Sequence, residues 1–358
     1  MSAVPGERSG VVADHQPYTV RRPDHSCFES AAEILSRQGL GVNIPLSKAI
    51  QTAFPPADLS SGISKHKLNH LHAITLVREQ REKGRQEIGY QARPFVLCGI
   101  PLRRPPATQL VHRRQNGKFF LEIVAHPNFG LPFGQDRLIP IWVATLAVKQ
   151  KSRTVRFGSA AQMLEFLQLP MDGLHYRRLV EGFQRIFAAT IFFGTEATKS
   201  SSQVFDWARF HFFDRLQLWF NRAASGSSPA AHGHENIITL SESFYNEIDQ
   251  HRIPVERQVV ASLANAPGLL DFYIWIVWKS WTVRNEIARI PLSGSHGLQG
   301  QLGAGHYSRD KRFRQTLRRW LRRIKVVWPK CPAELSQDLK FLVVRSSVKQ
   351  PAIRRAAT

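Results

Sequence analysis

The chain has 358 residues, 43% of them hydrophobic, and its 49 Lys and Arg residues outnumber 27 Asp and Glu residues, for a net charge of +22. A chain of this length can bury two or three domain cores, so a single small module is excluded. Basic residues recur along the whole sequence, which indicates a polyanionic partner. The longest apolar run, at 269–278, is far shorter than the roughly 20 residues of a membrane span, so we expect no membrane partner.

The first residues carry neither a basic start followed by an apolar stretch nor a cleavage site, which favours a cytoplasmic protein. Cys27, Cys98 and Cys331 are odd in number and widely scattered, which argues against a disulfide framework or a zinc site. We therefore expect no cofactor. Residues 1–84 are interpreted as a basic, partly disordered N-terminal extension with a short helix at 28–37.

Regular structure is expected from about residue 85. Alternating apolar residues predict strands at 93–100 and 118–125, and apolar periodicity predicts a helix at 137–149. A short strand, a Ser-started helix, a longer helix and two strand-forming stretches follow at 154–157, 159–167, 174–188, 190–193 and 204–220.

The low-complexity stretch 223–236 is interpreted as a linker, after which a similar order of elements returns. The predicted elements are a strand at 237–240, a Ser-capped helix at 241–250, an apolar helix at 269–281, a strand at 289–292, a Gly-rich helical segment at 293–302, a basic helix at 309–325 and a strand at 339–345.

The basic helix at 309–325 carries nine basic residues against the single acid Asp310. At about 100° per residue its apolar positions share one side, so the helix is expected to bury that side and expose the charges. So many like charges repel one another unless they meet phosphates, which makes nucleic acid the expected partner. The predicted buried residues are Phe313, Leu317, Trp320, Leu321 and Ile324. The predicted DNA-binding residues are Arg309, Lys311, Arg312, Gln315, Arg318, Arg319, Arg322, Arg323 and Lys325.

A shift of about 134 residues superposes the two halves of the chain, placing Leu179 and Phe183 over Phe313 and Leu317. This indicates an internal duplication. Helix, strand, helix, helix and hairpin is the order of a winged helix, whose third helix enters the major groove. The predicted fold is therefore α+β, with tandem winged-helix domains at 85–222 and 237–346 and a basic tail at 347–358. In the first domain Leu179, Phe183, Ile186 and Phe187 are expected to be buried, and the predicted DNA-binding residues are Arg177, Arg178, Gln184 and Arg185.

The chain resembles the RepA-type plasmid replication initiators over roughly residues 85–345. The resemblance rests on YQARPFVLCGIPLRR at 90–104, NGKFFLEIVAHPNFGLPFGQDRLIPIWVATLAVKQKSRTVRFG at 116–158, ITLSESFYNEI at 238–248, LLDFYIWIVWKSW at 269–281 and the basic helix. It implies two winged-helix domains that bind repeated sites, or iterons, in double-stranded plasmid origin DNA. It also implies recruitment of host replication initiator and helicase proteins, and autorepression by a homodimer. The chain departs from its relatives at Phe133 and at Gly300, Gly303 and Gly305.

Two alternatives remain open. No GxxxxGK[ST] phosphate loop is present, and we expect no enzyme activity. Interpreted as a strand, however, His70 to Leu76 would place His70 and His72 on one face, where they could hold a metal ion for a rolling-circle nickase with Tyr90 or Tyr176 as nucleophile. Their spacing from His66 fits an ordinary helix equally well. The second alternative, a pure transcriptional repressor, would use the same basic helices.

Several aromatic residues also have two interpretations. The stretch 204–220 interleaves rings with Arg209, His211 and Arg215, which suits base stacking on single strands or a long wing strand. Tyr273, Trp275, Trp278 and Trp281 are expected to lie in the core.

Overall fold

The computed structural model describes residues 65–116, 119–159, 161–199, 202–218, 235–283, 286–294, 297–302 and 310–347. The chain divides into two units, Met1–Gly62 and Ile63–Thr358, and every described residue lies in the second unit. The predictions for residues 1–64, for 223–234 of the linker, for 348–358 of the basic tail and for Arg309 concern positions outside these ranges. The last residue of the predicted linker, Asn236, is instead buried at the start of a strand.

The fold is a mixture of helices and strands. The helices are α1 (Lys65–Glu82), α2 (Arg93–Leu97), α3 (Leu138–Gln150), α4 (Ala161–Phe166), α5 (Gly173–Phe187), α6 (Glu242–His251), α7 (Arg257–Leu263), α8 (Pro267–Thr282), α9 (Leu298–Gln301) and α10 (Asp310–Val327), with a 3-10 turn at Gly134–Arg137. The strands are β1 (Ile88–Gln91), β2 (Val111–Asn116), β3 (Phe119–Val124), β4 (Thr154–Phe157), β5 (Thr190–Lys199), β6 (Ser202–His211), β7 (Phe213–Gln217), β8 (Asn236–Leu240), β9 (Ile253–Glu256), β10 (Ile287–Pro291), β11 (Ala333–Leu335) and β12 (Phe341–Arg345).

Within the described residues, the strands form four antiparallel sheets, with the orders β1-β9, β2-β3-β5-β6, β4-β8-β7 and β10-β12-β11. Two of these sheets join parts of the chain that are far apart in sequence. β1 pairs with β9 in the register Ile88 to Glu256, and β4 pairs with β8 in the register Thr154 to Thr239. Strands from both sides of the predicted linker thus share sheets. The predicted domain boundaries remain a prediction.

Two apolar helices, α3 and α8, contribute much of the core. Trp142 of α3 and Trp275 of α8 are among the largest fully buried side chains. Both helices are apolar on nearly all sides because they are surrounded by other elements. α3 ends at Lys151, which adopts the left-handed conformation at φ 49. Among the described residues, no helix combines the length and the apolar character that crossing a membrane requires.

Most of the predicted elements are confirmed, in several cases to within one residue. β4 has the predicted bounds, and α3, α5, α8 and α10 lie where the apolar periodicity placed them. Ser241 begins α6 as predicted, since its hydroxyl accepts a hydrogen bond of 3.2 Å from the amide of Phe244.

The predicted strand at 93–100 is wrong, because this segment contains the short helix α2. Pro94 stands in the first turn of the helix, where the missing N–H costs no hydrogen bond. Pro94, Phe95, Val96 and Leu97 are all buried, so no side of the segment faces solvent as a half-exposed strand would.

The strand interpretation of His70 to Leu76 is also wrong, because these residues lie in helix α1. The strand that the nickase hypothesis requires is therefore not formed by this segment. Across the described ranges, no group of three His, Cys, Asp or Glu side chains is placed to hold a metal ion.

The second half of the chain has the element order α8, β10, α9, α10, β11, β12, and β12 lies between β10 and β11 in the sheet. This is the predicted order of helix, strand, helix, helix and hairpin. In the first half α3, β4, α4 and α5 follow the same order, but the long β5 and β6 join β2 and β3 while β4 pairs with β8. The tandem winged-helix arrangement therefore stays a prediction.

Two residues expected in the core are exposed. Trp281 is 59% exposed near the end of α8, although Tyr273 and Trp275 are buried as predicted. Phe187, the last residue of α5, is 40% exposed because the helix ends there and the chain turns into β5.

Candidate nucleic-acid interface

Helix α10 buries its apolar side as the sequence predicts. Phe313, Leu317 and Ile324 are fully buried and Leu321 is nearly so, whereas Trp320 is only partly covered. Burial of these side chains determines which way the helix faces, since each large apolar residue removed from water stabilises that orientation by about 1.5 to 3 kcal/mol.

The opposite side of α10 is a cationic surface, as predicted. Two further basic residues, Arg314 and Arg323, lie at its edges and are half-buried. At 1.5 Å per residue the helix is about 27 Å long, and an α-helix fits into a major groove about 12 Å wide. The exposed residues of this surface are Lys311, Arg312, Gln315, Arg318, Arg319, Arg322 and Lys325.

The cations of α10 have few acidic neighbours within the helix. The carboxylate of Asp310 lies 3.9 Å from Arg314, and Arg319 makes a long contact of 3.4 Å with the hydroxyl of Thr316. Burial, together with the charge of Arg319, lowers the pKa of Arg323. Phosphate groups placed against this surface would relieve the repulsion between the side chains.

The C-terminal end of α10 is held by helix α1. Arg78 donates from Nε and Nη2 to the carbonyl of Val326 at 3.2 and 3.1 Å, and Arg81 donates to the carbonyl of Val327. Arg81 also forms an ion pair of 2.7 Å with Glu256. Two cations therefore satisfy terminal carbonyls at the negative end of the helix dipole. Sequence analysis did not find this role, because 248 residues separate Arg78 from Val326.

Helix α5 presents a weaker basic surface. Asp172 caps its N-terminus by accepting 2.8 Å hydrogen bonds from the backbone amide and the ring of His175, which lower the pKa of Asp172. Leu179, Phe183 and Ile186 are buried as predicted. Arg177, Arg178 and Gln184 are exposed, beside the exposed Glu181.

The outward orientation predicted for Arg185 is wrong. Its guanidinium forms a bidentate ion pair with Asp136 at 2.7 and 3.0 Å, stacks over the Phe133 ring at 4.7 Å, and leaves 12% of the side chain exposed. Burial alone would lower the pKa of Arg185, but its hydrogen bond with Asp136 and the charge of that carboxylate raise it. Periodicity could not find this pair, because its partner lies 49 residues earlier in the chain.

Close contact between α5 and the turn at Asp136 requires Gly182. A Cβ atom at this position would lie 2.8 Å from Asp136 Oδ1 and 3.0 Å from Ile139 Cδ1. The Asp136 carboxylate cannot easily move, because it is held by Arg185 and by a 2.9 Å hydrogen bond from the amide of Phe133. The ion pair between Arg185 and Asp136 and the absence of a side chain at Gly182 together allow α5 to pack closely against this turn.

The hairpin of β11 and β12 follows α10 in the chain. Ser336 and Asp338 organise its tip, where Asp338 accepts from the amide of Lys340 at 3.1 Å, and Lys340 is exposed. Sequence analysis predicted the closing strand but not Lys340. Lys340 follows turn-forming residues, and this position could have indicated that it lies at the tip of a hairpin.

Residues 177–290 match the family model described as plasmid encoded RepA protein. The matched segment runs from α5 to β10, so α10 lies outside it. The resemblance to RepA-type initiators is thereby confirmed over this segment, and the match supports a replication initiator role. The chain matches no curated protein sequence.

Two crystal structures of RctB domains 2 and 3 have a distantly similar fold. One shares 13% sequence identity with a TM-score of 0.43, covering 69% of this chain and 95% of that chain. The other, a selenomethionine derivative, shares 14% identity with a TM-score of 0.45, covering 70% and 95%.

Proposed function

We propose that the protein initiates plasmid replication by binding repeated sites in double-stranded origin DNA through α10 and α5. The observation that carries the proposal is the cationic surface of α10, opposite a side whose residues Phe313, Leu317, Leu321 and Ile324 are buried. A basic helix held in one orientation by its core contacts suits insertion into a major groove, whereas a mobile charged tail would bind DNA without fixed register.

The two helices contribute unequally. α10 supplies seven exposed polar or basic residues, and α5 supplies Arg177, Arg178 and Gln184. Arg side chains that reach base edges would pair with guanine, and the others would contact phosphates. The element order of the second half supports a winged helix there, with Lys340 on the backbone beside the groove. We assign α5 the same role in a first winged-helix module.

The family match supports the further steps. The bound chain would recruit host replication initiator and helicase proteins, act in the cytoplasm without a cofactor, and repress its own gene as a homodimer. We assign no catalytic role, since His70 and His72 lie in helix α1 and not on the strand that the nickase hypothesis requires.

Footprinting of the full-length chain on its native plasmid origin, at stated salt, tests this proposal. We expect a ladder of evenly spaced protections, because an initiator of this class binds repeated sites. A single protected operator would instead identify a transcriptional repressor.

A replication assay provides the second test. An origin plasmid that lacks its own gene for the protein should replicate when the protein is supplied in trans, and should fail to do so with Arg318→Ala/Arg322→Ala. Nicking of the supercoiled origin in Mg²⁺ or Mn²⁺ would favour the nickase instead.

A further inference from the structure

Two consecutive residues of the 3-10 turn, Asp136 and Arg137, connect to opposite parts of the molecule. Asp136 receives both hydrogen bonds of Arg185 from α5. Arg137, whose side chain is 4% exposed, donates from Nε to Asp271 of α8 at 2.9 Å. The turn therefore joins α5 to α8 through two ion pairs on adjacent residues.

Each nitrogen of the Arg137 guanidinium donates a hydrogen bond. Besides Asp271 it donates to the carbonyls of Gly134 at 2.8 Å and Ile100 at 2.9 Å. A buried guanidinium with this many partners cannot rotate without leaving hydrogen bonds unmade, so it holds Asp271 Oδ1 in place. Burial raises the pKa of Asp271, while the charges of Arg137 and Arg114 act to lower it.

Helix α8 is connected in turn to α10 through Trp320. The indole packs onto α8 at Gly268, where a Cβ atom would lie 2.7 Å from Cη2 and 2.9 Å from Cζ2 of the ring. The same ring lies 6.1 Å from that of Phe272. Within about one turn of α8, Gly268 and Phe272 contact Trp320 of α10, and Asp271 contacts Arg137 of the 3-10 turn.

We propose that Asp136, Arg137, Asp271 and Trp320 are positioning residues that hold α5 and α10 in one fixed relation. The proposal rests on the proposed function. Its consequence is specificity for spacing, because two helices held rigidly can engage only DNA segments that lie at one separation and one helical phase. Inserting 5 base pairs between the segments turns one away from the other by about half a turn of the duplex.

The fixed relation of α5 and α10 can be tested with one protected origin site. We would measure binding of the full-length chain to this site with 0, 2 or 5 base pairs inserted between its protected halves. Losing the contacts of one helix should weaken wild-type binding by about 10- to 100-fold at 5 base pairs. Asp271→Asn removes a charge without changing shape, and Trp320→Phe shortens the ring that packs on Gly268. Each variant should reduce the penalty for insertion to about 5-fold or less, since a looser pair of helices can adjust.

The matched control is Glu247→Gln, which weakens the Arg93 to Glu247 ion pair of 2.8 Å between α2 and α6. This variant should keep the wild-type penalty, with circular dichroism showing that all variants are folded at the assay temperature. Folded Asp271→Asn and Trp320→Phe proteins that retain the full penalty would overturn the proposal. So would a wild-type chain that binds tightly but tolerates every insertion, whereas a wild-type chain that does not bind the origin would refute the proposed function itself.

Discussion

Helices α5 and α10 share a sequence pattern, but they present different surfaces to solvent. The shift of 134 residues that superposes them places Arg185 over Arg319. Arg185 is 12% exposed in its ion pair with Asp136, whereas Arg319 is exposed on the cationic surface. The position of a charge on a helical wheel therefore does not determine its role. A carboxylate supplied from elsewhere in the fold turns an apparent DNA contact into a contact that seats the helix.

The two helices also differ in net charge. Helix α10 carries eight basic residues and one acid, while α5 carries three arginines and one glutamate. With Arg185 engaged by Asp136 and Glu181 exposed, little positive charge is left on the surface of α5. We expect α10 to supply most of the electrostatic affinity for DNA, and α5 mainly to fix the position of the protein along the duplex.

The largest expected effect concerns the apolar sides of the helices. Phe313→Ala should lower the free energy of unfolding by about 4 kcal/mol, because a fully buried ring leaves a cavity. Phe187→Ala on α5 should cost about 1 kcal/mol, since its ring is 40% exposed. Urea unfolding of both variants measures the difference. Equal costs would mean that α10 is not held by its core contacts.

The next prediction compares the contributions to stability of Arg185 and Arg319, which the shift of 134 residues superposes. Arg185→Ala should lower the free energy of unfolding by about 3 kcal/mol, because it leaves the buried Asp136 carboxylate without its partner. Arg319→Ala should change stability by less than about 0.5 kcal/mol, as is usual at an exposed site. Thermal unfolding of the two variants tests this. A stable Arg185→Ala protein with weakened DNA binding would restore Arg185 as a DNA contact.

A smaller effect should appear on acidification, at His112 of β2. Burial and the charge of Arg114 lower the pKa of His112 from 6.5 to about 4. The unfolded chain therefore binds more protons between these pH values, and the free energy of unfolding should fall by about 2 kcal/mol as the pH is lowered through this window.

Replacing His112 by Gln should flatten this pH dependence, which urea titrations at pH 7, 5.5 and 4.5 would measure. An unchanged slope in His112→Gln would exclude this residue as its source.

The sequence predicted α10 and its buried side because Phe313, Leu317 and Leu321 recur at helical spacing, and this pattern depends only on neighbours in the chain. It could not predict contacts made over long separations, such as Arg185 with Asp136 or Arg78 with the end of α10. It also could not distinguish α2 from a strand, since a short apolar run buried on all sides has no periodicity to read. One signal was available: Asp271 is an acid within an apolar run, and such a residue requires a buried partner.

The salt dependence of origin binding tests most directly the claim that α10 provides the main electrostatic contact. Each phosphate contact contributes about 0.9 to the slope of log K against log salt concentration. Arg318→Ala/Arg322→Ala should reduce that slope by about 2, and Arg177→Ala/Arg178→Ala on α5 should reduce it by about 1 or less. The control Arg153→Ala/Arg156→Ala removes the same charge from β4 and the residue before it, and should leave the slope near that of the wild type. An unchanged slope in the α10 variant, or a larger reduction in the α5 variant, would contradict this account.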